Sequence, residues 1–296
     1  MATPRTQAEN RDAARPESSV RTPARGHRTL PAQDEPPRHS RAYENWIGFE
    51  TIVIKEVDRV ARIWIQTLIP PVIQMTLYFL IFGAFIGNRV GKMDGISYMA
   101  FLAPGLIMMS VISNSYANVV SSFFGAKFAR HVEELLVSPL PNFLIILGYV
   151  VGGVVRGLVV GVLVAVVALF FTHLHIAHPF ITFSVVILTA IVFSLGGFIN
   201  AVFAKNFDDV TIIPTFILNP LTYLGGVFYS ISLLPPLWST VSKVNPILYM
   251  VNAFRYGILG VSDIPIGIAY GIIVLFIAIL FAICEYLLYK GIGLRS

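Results

Sequence analysis

The chain has 296 residues, of which 56% are hydrophobic and 12% charged, and its mean hydropathy is +0.75. A soluble domain of this length needs far more charge to cover its surface, so a soluble globular protein is excluded. The formal net charge is +5, but seven arginines precede residue 40 in a stretch without aromatic residues, so the charge does not indicate nucleic-acid binding.

Residues 1–40 are rich in Arg, Pro, Ala and Ser and have no apolar periodicity. Such a segment buries too little apolar surface to offset the entropy of ordering, and we predict a disordered cytoplasmic tail. No apolar stretch follows the first charges, which excludes a secretory signal peptide. The single cysteine, Cys284, allows no disulfide within one chain.

Between residues 43 and 64, apolar residues recur at three- and four-residue steps from Trp46 to Trp64, with charged residues between them. This period predicts an amphipathic helix. Tryptophan and basic side chains are typical of the membrane interface, where cations contact anionic lipids. We therefore expect an interfacial helix that binds membrane lipids, although packing on a protein partner would give the same pattern.

Six apolar segments follow, several of them reaching the length of about 20 residues that a helix needs to cross the hydrocarbon core. They lie at about 66–87, 98–123, 143–171, 180–204, 210–229 and 264–289. The sequence therefore predicts an all-α polytopic membrane protein with six transmembrane helices.

Polar residues within the second and third spans indicate inward-facing positions. The second span carries many Ser and Asn side chains, which are too polar for a lipid-facing helix. Arg156 lies in the third span among glycines, and the spacing Gly153-Gly157-Gly161 predicts a smooth face for close helix packing. The role of Arg156 is either structural or substrate-facing. The candidate residues for a translocation path are Ser113, Asn114, Asn118 and Arg156.

The distribution of basic residues predicts the orientation. With the N-terminus in the cytoplasm, the inner side holds Arg41, Lys55, Arg59, Arg62, Lys127, Arg130, Lys205, Lys290 and Arg295. The outer side then holds Arg89, Lys92, Lys243 and Arg255. The inner excess is more than twofold, so both termini are expected in the cytoplasm.

The cytoplasmic loop after the second span, GAKFARHVEELLVSPLPN, is amphipathic and ends at prolines. An apolar stripe formed by Phe128, Val132, Leu135 and Leu136 alternates with charged positions. This pattern predicts an amphipathic helix within residues 125–139.

The segment from Gly225 to Arg255 is apolar but repeatedly broken. Gly225-Gly226, Pro235-Pro236 and Asn245-Pro246 interrupt it, and proline ends or bends a helix. Unpaired backbone is costly in hydrocarbon, which favours short helices that enter one leaflet and return, over about 230–258. A long extramembrane loop is the alternative. The candidate gate residues are Gly225, Gly226, Phe228, Tyr229, Pro235, Pro236, Asn245, Pro246 and Arg255, with Arg255 expected to anchor in the outer leaflet.

Signatures of catalysis and of metal binding are lacking. The stretch GNRVGKM lacks the spacing and the Ser/Thr of a phosphate-binding loop, so the chain is not expected to be an ATPase. His173, His175 and His178 cluster in an outer turn, but no Cys or carboxylate lies nearby to complete a metal site. We expect no enzymatic activity and no bound cofactor.

Four stretches, taken in order, resemble one family. They are KEVDRVARIWIQTLIPPVIQMTLYFLIFGAFIG, EELLVSPL at 133–140, GGVFYSISLLPPLW and NPILYMVNAFRYG. Together the chain over 43–296 resembles the permease subunits of bacterial ABC type-2 exporters, in the branch with nodulation-factor and drug-resistance permeases. The resemblance implies an ABC type-2 transmembrane domain over 41–296.

The resemblance also implies a homodimer in the bacterial inner membrane, bound to two copies of a separate P-loop ATPase that uses ATP and Mg. The residues expected at the ATPase contact are Lys127, Phe128, Arg130, Glu133, Glu134, Leu135 and Pro139, bordered by Glu56 and Arg59. The expected function is export of an amphiphile such as a lipid, glycan-lipid or drug. An ion-coupled secondary transporter is the main alternative, although only Glu285 places a carboxylate in a span. An assembly factor or membrane-embedded enzyme is a third option.

Overall fold

A computed structural model describes residues 40–93 and 95–294. The tail predicted to be disordered lies outside the described residues except for Ser40. The helices are α1 (Arg41–Arg62), α2 (Trp64–Tyr78), α3 (Gly87–Val90), α4 (Tyr98–Phe128), α5 (His131–Val137), α6 (Asn142–Leu169), α7 (Pro179–Phe203), α8 (Phe207–Ile213), α9 (Asn219–Tyr223), α10 (Pro236–Val244), α11 (Pro246–Leu259) and α12 (Ile266–Lys290). Strands β1 (Lys92–Met93) and β2 (Ile96–Ser97) form an antiparallel hairpin.

The amphipathic helix predicted at 43–64 is α1, whose N-terminus is capped by the side chain of Ser40. Its buried residues are Ile52, Glu56 and Val60, which lie four residues apart on one face. The helix ends at Arg62, and α2 begins after the single residue Ile63. From Phe79 to Ile86 the first span continues as wider π-helical turns.

The described part of the chain contains five helices long and apolar enough to cross a membrane, which confirms the all-α polytopic class. They are Trp64–Gly83, Tyr98–Phe128, Asn142–Leu169, Pro179–Phe203 and Ile266–Lys290. The predicted count of six is too high by this criterion. The predicted span at 210–229 is instead α8, a π-helical turn Pro214–Leu218 and α9, because prolines at 214 and 220 interrupt the regular helix.

Helix α4 is the centre of the bundle. In its most apolar stretch 78% of the residues are buried, against 11% for α12 and 17% for α2. It packs most extensively on α7 and α6. The Ser and Asn residues of α4 are therefore largely buried, as predicted, with Ser110, Ser115 and Ser122 among them.

Glycines of α6 allow two neighbouring helices to approach closely. A Cβ at Gly157 would collide with Ser115 of α4, and one at Gly161 would lie 2.7 Å from Val111. On the adjacent face, a Cβ at Gly152 would lie 2.7 Å from the Cβ of Glu56 in α1. The smooth face predicted for α6 is confirmed. Gly152 belongs to a second smooth face of the helix, against which α1 packs.

The amphipathic loop predicted at 125–139 is not one helix. Its first residues continue α4 to Phe128, and the rest forms the seven-residue helix α5. Arg130 separates the two with φ 61°, the left-handed conformation that a right-handed helix cannot include. This residue is the one non-glycine position with positive φ in the described chain.

Candidate functional site

A buried charge cluster on the inner half of the bundle joins α1 to α4. Glu56 is fully buried, and its Oε2 lies 3.2 Å from Nη2 of Arg59. The hydroxyl of Ser122 donates a hydrogen bond to Oε1 of the same carboxylate. Nη2 of Arg59 also donates to Oδ1 of Asn118 at 2.8 Å and to its backbone carbonyl at 3.0 Å. The carboxylate therefore has both a cation and a hydroxyl as partners, which a buried charge requires.

This cluster corrects two assignments made from sequence. Glu56 was expected to border a partner protein, but its side chain is wholly enclosed by α4 and α6. Asn118 was expected on a translocation path, but it is fully buried and accepts a hydrogen bond from Arg59. Ser122, which sequence reasoning did not assign to this cluster, supplies its hydroxyl. The four-residue spacing between Ile52, Glu56 and Val60 could have placed the carboxylate on the buried face of α1.

Arg156 of α6 lies one turn after Gly152 and is half-buried. Among the described residues it forms no ion pair, and its Nε is buried without a hydrogen-bond partner. Gly152 contacts Glu56, since a Cβ added there would lie 2.7 Å from the Cβ of that residue. The structure therefore brings Arg156 to the region of the Glu56 cluster rather than to the groove that Ser113 and Asn114 line.

Lys127 connects α4 to the C-terminal end of α7. Its Nζ donates to the carbonyl of Val202 at 2.6 Å and to that of Ala204 at 2.8 Å. Val202 lies in the last turn of α7 and Ala204 is the residue that caps it, where backbone acceptors lack intrahelical donors and a cation stabilises the helix dipole. Lys127 was predicted to contact a partner protein, but its ammonium group caps a helix of its own chain.

The apolar stripe of the same loop also differs from prediction. Val132 is buried, and Leu135 and Leu136 pack against the inner core of the chain. The apolar side chains left exposed are Phe128, at 65%, and Val137, at 87%. Leu135 and Leu136 are half-buried against this core, so only part of each side chain is left for the partner contact expected of them. Arg130, Glu133, Glu134 and Pro139 are exposed, as that surface requires.

A groove of about 450 Å³ opens beside this loop. Basic side chains from Lys127, Arg130 and Lys205 line it together with Glu133. Phe128 also borders it, and its ring packs against Phe207 with centroids 5.1 Å apart. The α4–α5 end of the bundle thus presents a concave surface with mixed charge and an aromatic wall.

A second, polar groove of about 210 Å³ lies between α2, α4 and α9. Its polar lining includes Gln74, Ser113, Asn114, Asn219 and Tyr223. The hydroxyl groups of Tyr78 and Tyr223 are 3.4 Å apart and join α2 to α9. Two of the four candidates for a translocation path, Ser113 and Asn114, are therefore brought together, with neighbours that the sequence did not single out.

The broken segment before the last span folds into short helices, as predicted. Helix α10 has nine residues and α11 has 14, so α11 is about 21 Å long and too short to cross the membrane. Asn245 separates them, and its side chain caps α11 by accepting from the backbone N–H of Ile247 at 3.0 Å. Pro235, Pro236 and Pro246 mark the helix starts, where the missing proline N–H costs little.

Arg255 organises the outer part of this segment from inside the protein. Its side chain is 1% exposed, and its guanidinium carbon lies 3.8 Å from the ring centroid of Phe101. Nη2 donates to the carbonyl of Gly226 at 2.6 Å. The expectation that Arg255 anchors in the outer leaflet is therefore wrong. Its charge is stabilised by an aromatic face and by the tight turn at Gly225 and Gly226, where Gly226 has φ 73°.

Two further contacts hold the turn. The hydroxyl of Tyr98 donates to the carbonyl of Phe228 at 3.1 Å, next to the half-buried Tyr229. Ser230 donates to Asp263 at 3.0 Å, and the backbone N–H of Ile231 donates to the same carboxylate at 3.2 Å. Asp263 was missed because it is isolated in sequence, in the short link between α11 and α12.

The described residues contain no group of three or more His, Cys, Asp or Glu side chains that could hold a metal ion. His173, His175 and His178 are exposed in the loop between α6 and α7. The expectation that the chain binds no cofactor stays a prediction.

Long apolar helices packed as a bundle, preceded by an amphipathic helix, define a polytopic membrane protein. The comparisons with known proteins agree. The sequence profile of the ABC-2 type transporter family matches residues 48–259, and the chain belongs to this family.

Relatives extend over most of the chain. It is 57% identical over 251 residues to "Inner membrane transport permease YadH" of Escherichia coli (strain K12), which covers 85% of this chain and 98% of that protein. It is 24% identical over 213 residues to "Nodulation protein J" of Rhizobium leguminosarum bv. viciae, covering 72% of this chain and 82% of that protein. "Nodulation protein J" of Sinorhizobium fredii (strain NBRC 101917 / NGR234) is 28% identical over 183 residues, 61% of this chain and 68% of that protein.

Proposed function

We propose that this chain is the membrane-spanning subunit of an ATP-driven exporter that moves an amphiphilic molecule out of the cytoplasm. The observation that carries this proposal is the polar groove between α2, α4 and α9. Polar side chains within membrane-spanning helices are costly unless they serve packing or a pathway. Gln74 and Tyr223 of this groove are exposed on the side of the bundle, where no other helix of the described residues covers them.

A second copy of the chain would complete the pathway. Helix α2 and the π-helical turns that continue it leave a row of large apolar residues exposed at helical spacing: Ile65, Ile69, Ile73, Leu77 and Leu80. Gln74, which follows Ile73 of this row, lines the polar groove, so the row and the groove are adjacent. Two chains that face each other across α2 and α9 would bury these rows and enclose two polar grooves in one central path, with a subunit interface of the isologous kind.

The energy would come from a separate ATPase, present in two copies, that binds ATP and Mg. Its docking surface would be the exposed part of the cytoplasmic loop: Phe128, Arg130, Glu133, Glu134 and Val137, beside the groove of about 450 Å³. An exposed Phe and Val surrounded by charges match the apolar centre and polar rim of a protein interface. The buried Glu56–Arg59 pair would transmit movement of α1 to α4 rather than touch the ATPase.

We place the protein in the bacterial inner membrane with both termini in the cytoplasm. The name of the YadH relative supports the location, and the excess of basic residues on one side supports the orientation. In this orientation α10 and the turn at Gly226 lie at the outer surface. The weakly charged lining of the outer segment, with Tyr229, Trp238 and Tyr249, favours an amphiphile as the substrate.

A direct test uses the full chain reconstituted with a P-loop ATPase that co-purifies with it. The double substitution Glu133→Lys/Glu134→Lys should abolish both ATPase binding and ATP-dependent export, because both carboxylates are exposed at the proposed contact. The matched control is Glu50→Lys, a charge reversal at an exposed position of α1. Export that continues without ATP and follows an ion gradient would refute the proposal in favour of a secondary transporter.

A further inference from the structure

An apolar groove of about 630 Å³ lies between α6 and α7, on a different side of the bundle from the proposed pathway. Ile107 and Val111 of α4 and Phe254 of α11 form its floor. Its walls are almost entirely hydrocarbon, with Thr182 as the polar exception. The volume lies within the range of about 300–1,000 Å³ that small-molecule sites occupy.

The position of the groove along the helices defines the leaflet that it faces. Its α6 residues run from Leu158 to Leu169, the second half of that helix, and its α7 residues from Pro179 to Val186, the first half. The loop between these helices closes the end, through Leu174 and Ile176. In the predicted orientation this loop is outside the membrane, so the groove opens into the outer leaflet.

The surface around the groove indicates a hydrocarbon chain as the occupant. Val162, which lines the groove, is 64% exposed, and Phe183 is also 64% exposed. At the outer end, Phe170 and Phe180 are more than 80% exposed. A protein interface would have a polar rim, whereas this rim is apolar along the helices and polar only at its outer end. The groove therefore faces lipid.

The outer end of the groove complements a negatively charged headgroup. His173 and His175 are exposed and alternate in sequence with the groove residues Leu174 and Ile176, so they lie beside the outer end of the groove. An imidazole N–H donates hydrogen bonds to phosphate oxygens. Residues 142–206, which comprise α6, the loop and α7, contain no Asp or Glu that would repel an anion.

The loop is also fixed in place. The backbone N–H of His178 donates to the carbonyl of Gly257 at 2.8 Å, and that of Ala177 donates to the carbonyl of Ile258 at 3.1 Å. The ring of His178 stacks on Tyr256, with centroids 4.8 Å apart and an interplanar angle of 15°. A rigid loop presents its donors without a large ordering cost on binding.

We propose that this groove binds an anionic phospholipid of the outer leaflet, with one acyl chain between α6 and α7 and the phosphate at His173 and His175. The site is separate from the proposed export path and from the contact with the ATPase. It gives a role to the histidine cluster, which forms no metal site in the described part of the chain.

The first experiment blocks the apolar groove with a bulky side chain. The full-length protein is reconstituted in nanodiscs that contain equal amounts of phosphatidylglycerol and phosphatidylcholine, and the retained lipids are counted by native mass spectrometry after transfer to detergent. Val162→Trp should remove one phosphatidylglycerol per chain. The matched control is Val159→Trp, which adds the same side chain to an exposed position of α6 outside the groove and should retain the lipid.

The second experiment tests the headgroup site with His173→Ala/His175→Ala, two changes in an exposed loop. This variant should weaken the retention of phosphatidylglycerol about fivefold for each hydrogen bond to the phosphate that is lost. The proposal is overturned if wild type retains no lipid beyond the Val162→Trp level, or if the histidine variant retains as much phosphatidylglycerol as wild type. It is also overturned if Val162→Trp instead splits a dimer, which would make the groove a subunit interface.

Discussion

Ser122 of α4 donates a hydrogen bond to Glu56 of α1, across 66 residues of chain. Through this bond and the pair with Arg59, the interfacial helix is attached to the central helix of the bundle at a fixed rotation. A helix held only by apolar contacts could slide or rotate with little cost, but a buried carboxylate has few alternative partners. Glu56 thus determines where α1 lies against α4 and α6.

Glu56→Ala should destabilise the protein by about 3 kcal/mol, the lower end of the cost of breaking a buried ion pair, because Arg59 keeps partial access to solvent. The loss should appear as a lower melting temperature of the purified protein in detergent. Glu50→Ala removes an exposed carboxylate from the same helix and should change stability by less than about 0.5 kcal/mol. Equal effects of the two substitutions would show that the buried pair does not fix α1.

Apolar period and span length predicted most of the fold. They located α1, the five long spans and the interrupted outer segment, because hydrocarbon requires long apolar helices and prolines break them. They overestimated the fifth span, since composition alone did not show how far Pro214 and Pro220 divide it.

The candidate sites were harder to predict because side-chain burial depends on tertiary packing. Lys127 and Arg255 are charged residues near span ends, and solvent or headgroup exposure was the natural expectation for both. In the fold, Lys127 reaches carbonyls of α7 and Arg255 lies over Phe101, partners distant in sequence. Ser113 and Asn114 line one groove, since polar residues in a span favour a shared inward face. Their place on a translocation path stays a prediction.

Lys127→Met should lower stability by about 1–2 kcal/mol, because two carbonyls at the end of α7 lose a charged donor. Co-purification with the ATPase should be unchanged, since the ammonium group is directed into its own chain. Lys205→Met, at an exposed position of the same inner surface, serves as the control and should leave the melting temperature unaffected. Loss of ATPase binding at wild-type stability in Lys127→Met would place this lysine at the partner contact instead.

Replacing two glycines of membrane-spanning helices by alanine should change the stability of the protein in opposite ways. Gly157→Ala places a Cβ against Ser115 and should cost about 1–3 kcal/mol, because α6 must move away from α4. Gly271→Ala in α12 meets open space and should be neutral or stabilise by about 0.5–1 kcal/mol, since alanine favours the helix. Thermal unfolding, monitored by size-exclusion chromatography, measures the stability of both variants. A stable Gly157→Ala variant would mean that α4 and α6 are less closely packed than described.

Arg255→Gln should both destabilise the protein and impair transport, because it removes the cation over Phe101 and the donor to the buried Gly226 carbonyl. The unsatisfied carbonyl alone costs about 1–3 kcal/mol. Arg255→Lys keeps the charge but not the planar group, so it should recover stability only in part.

Lys243→Gln, at an exposed position of α10, is the control for loss of a positive charge in the same segment. If Arg255→Gln and Lys243→Gln had equal effects on melting temperature and export, the charge of the segment would matter rather than the turn. A transport defect specific to Arg255→Gln at a permissive temperature, where the protein stays folded, would instead connect the conformation of Gly226 to gating.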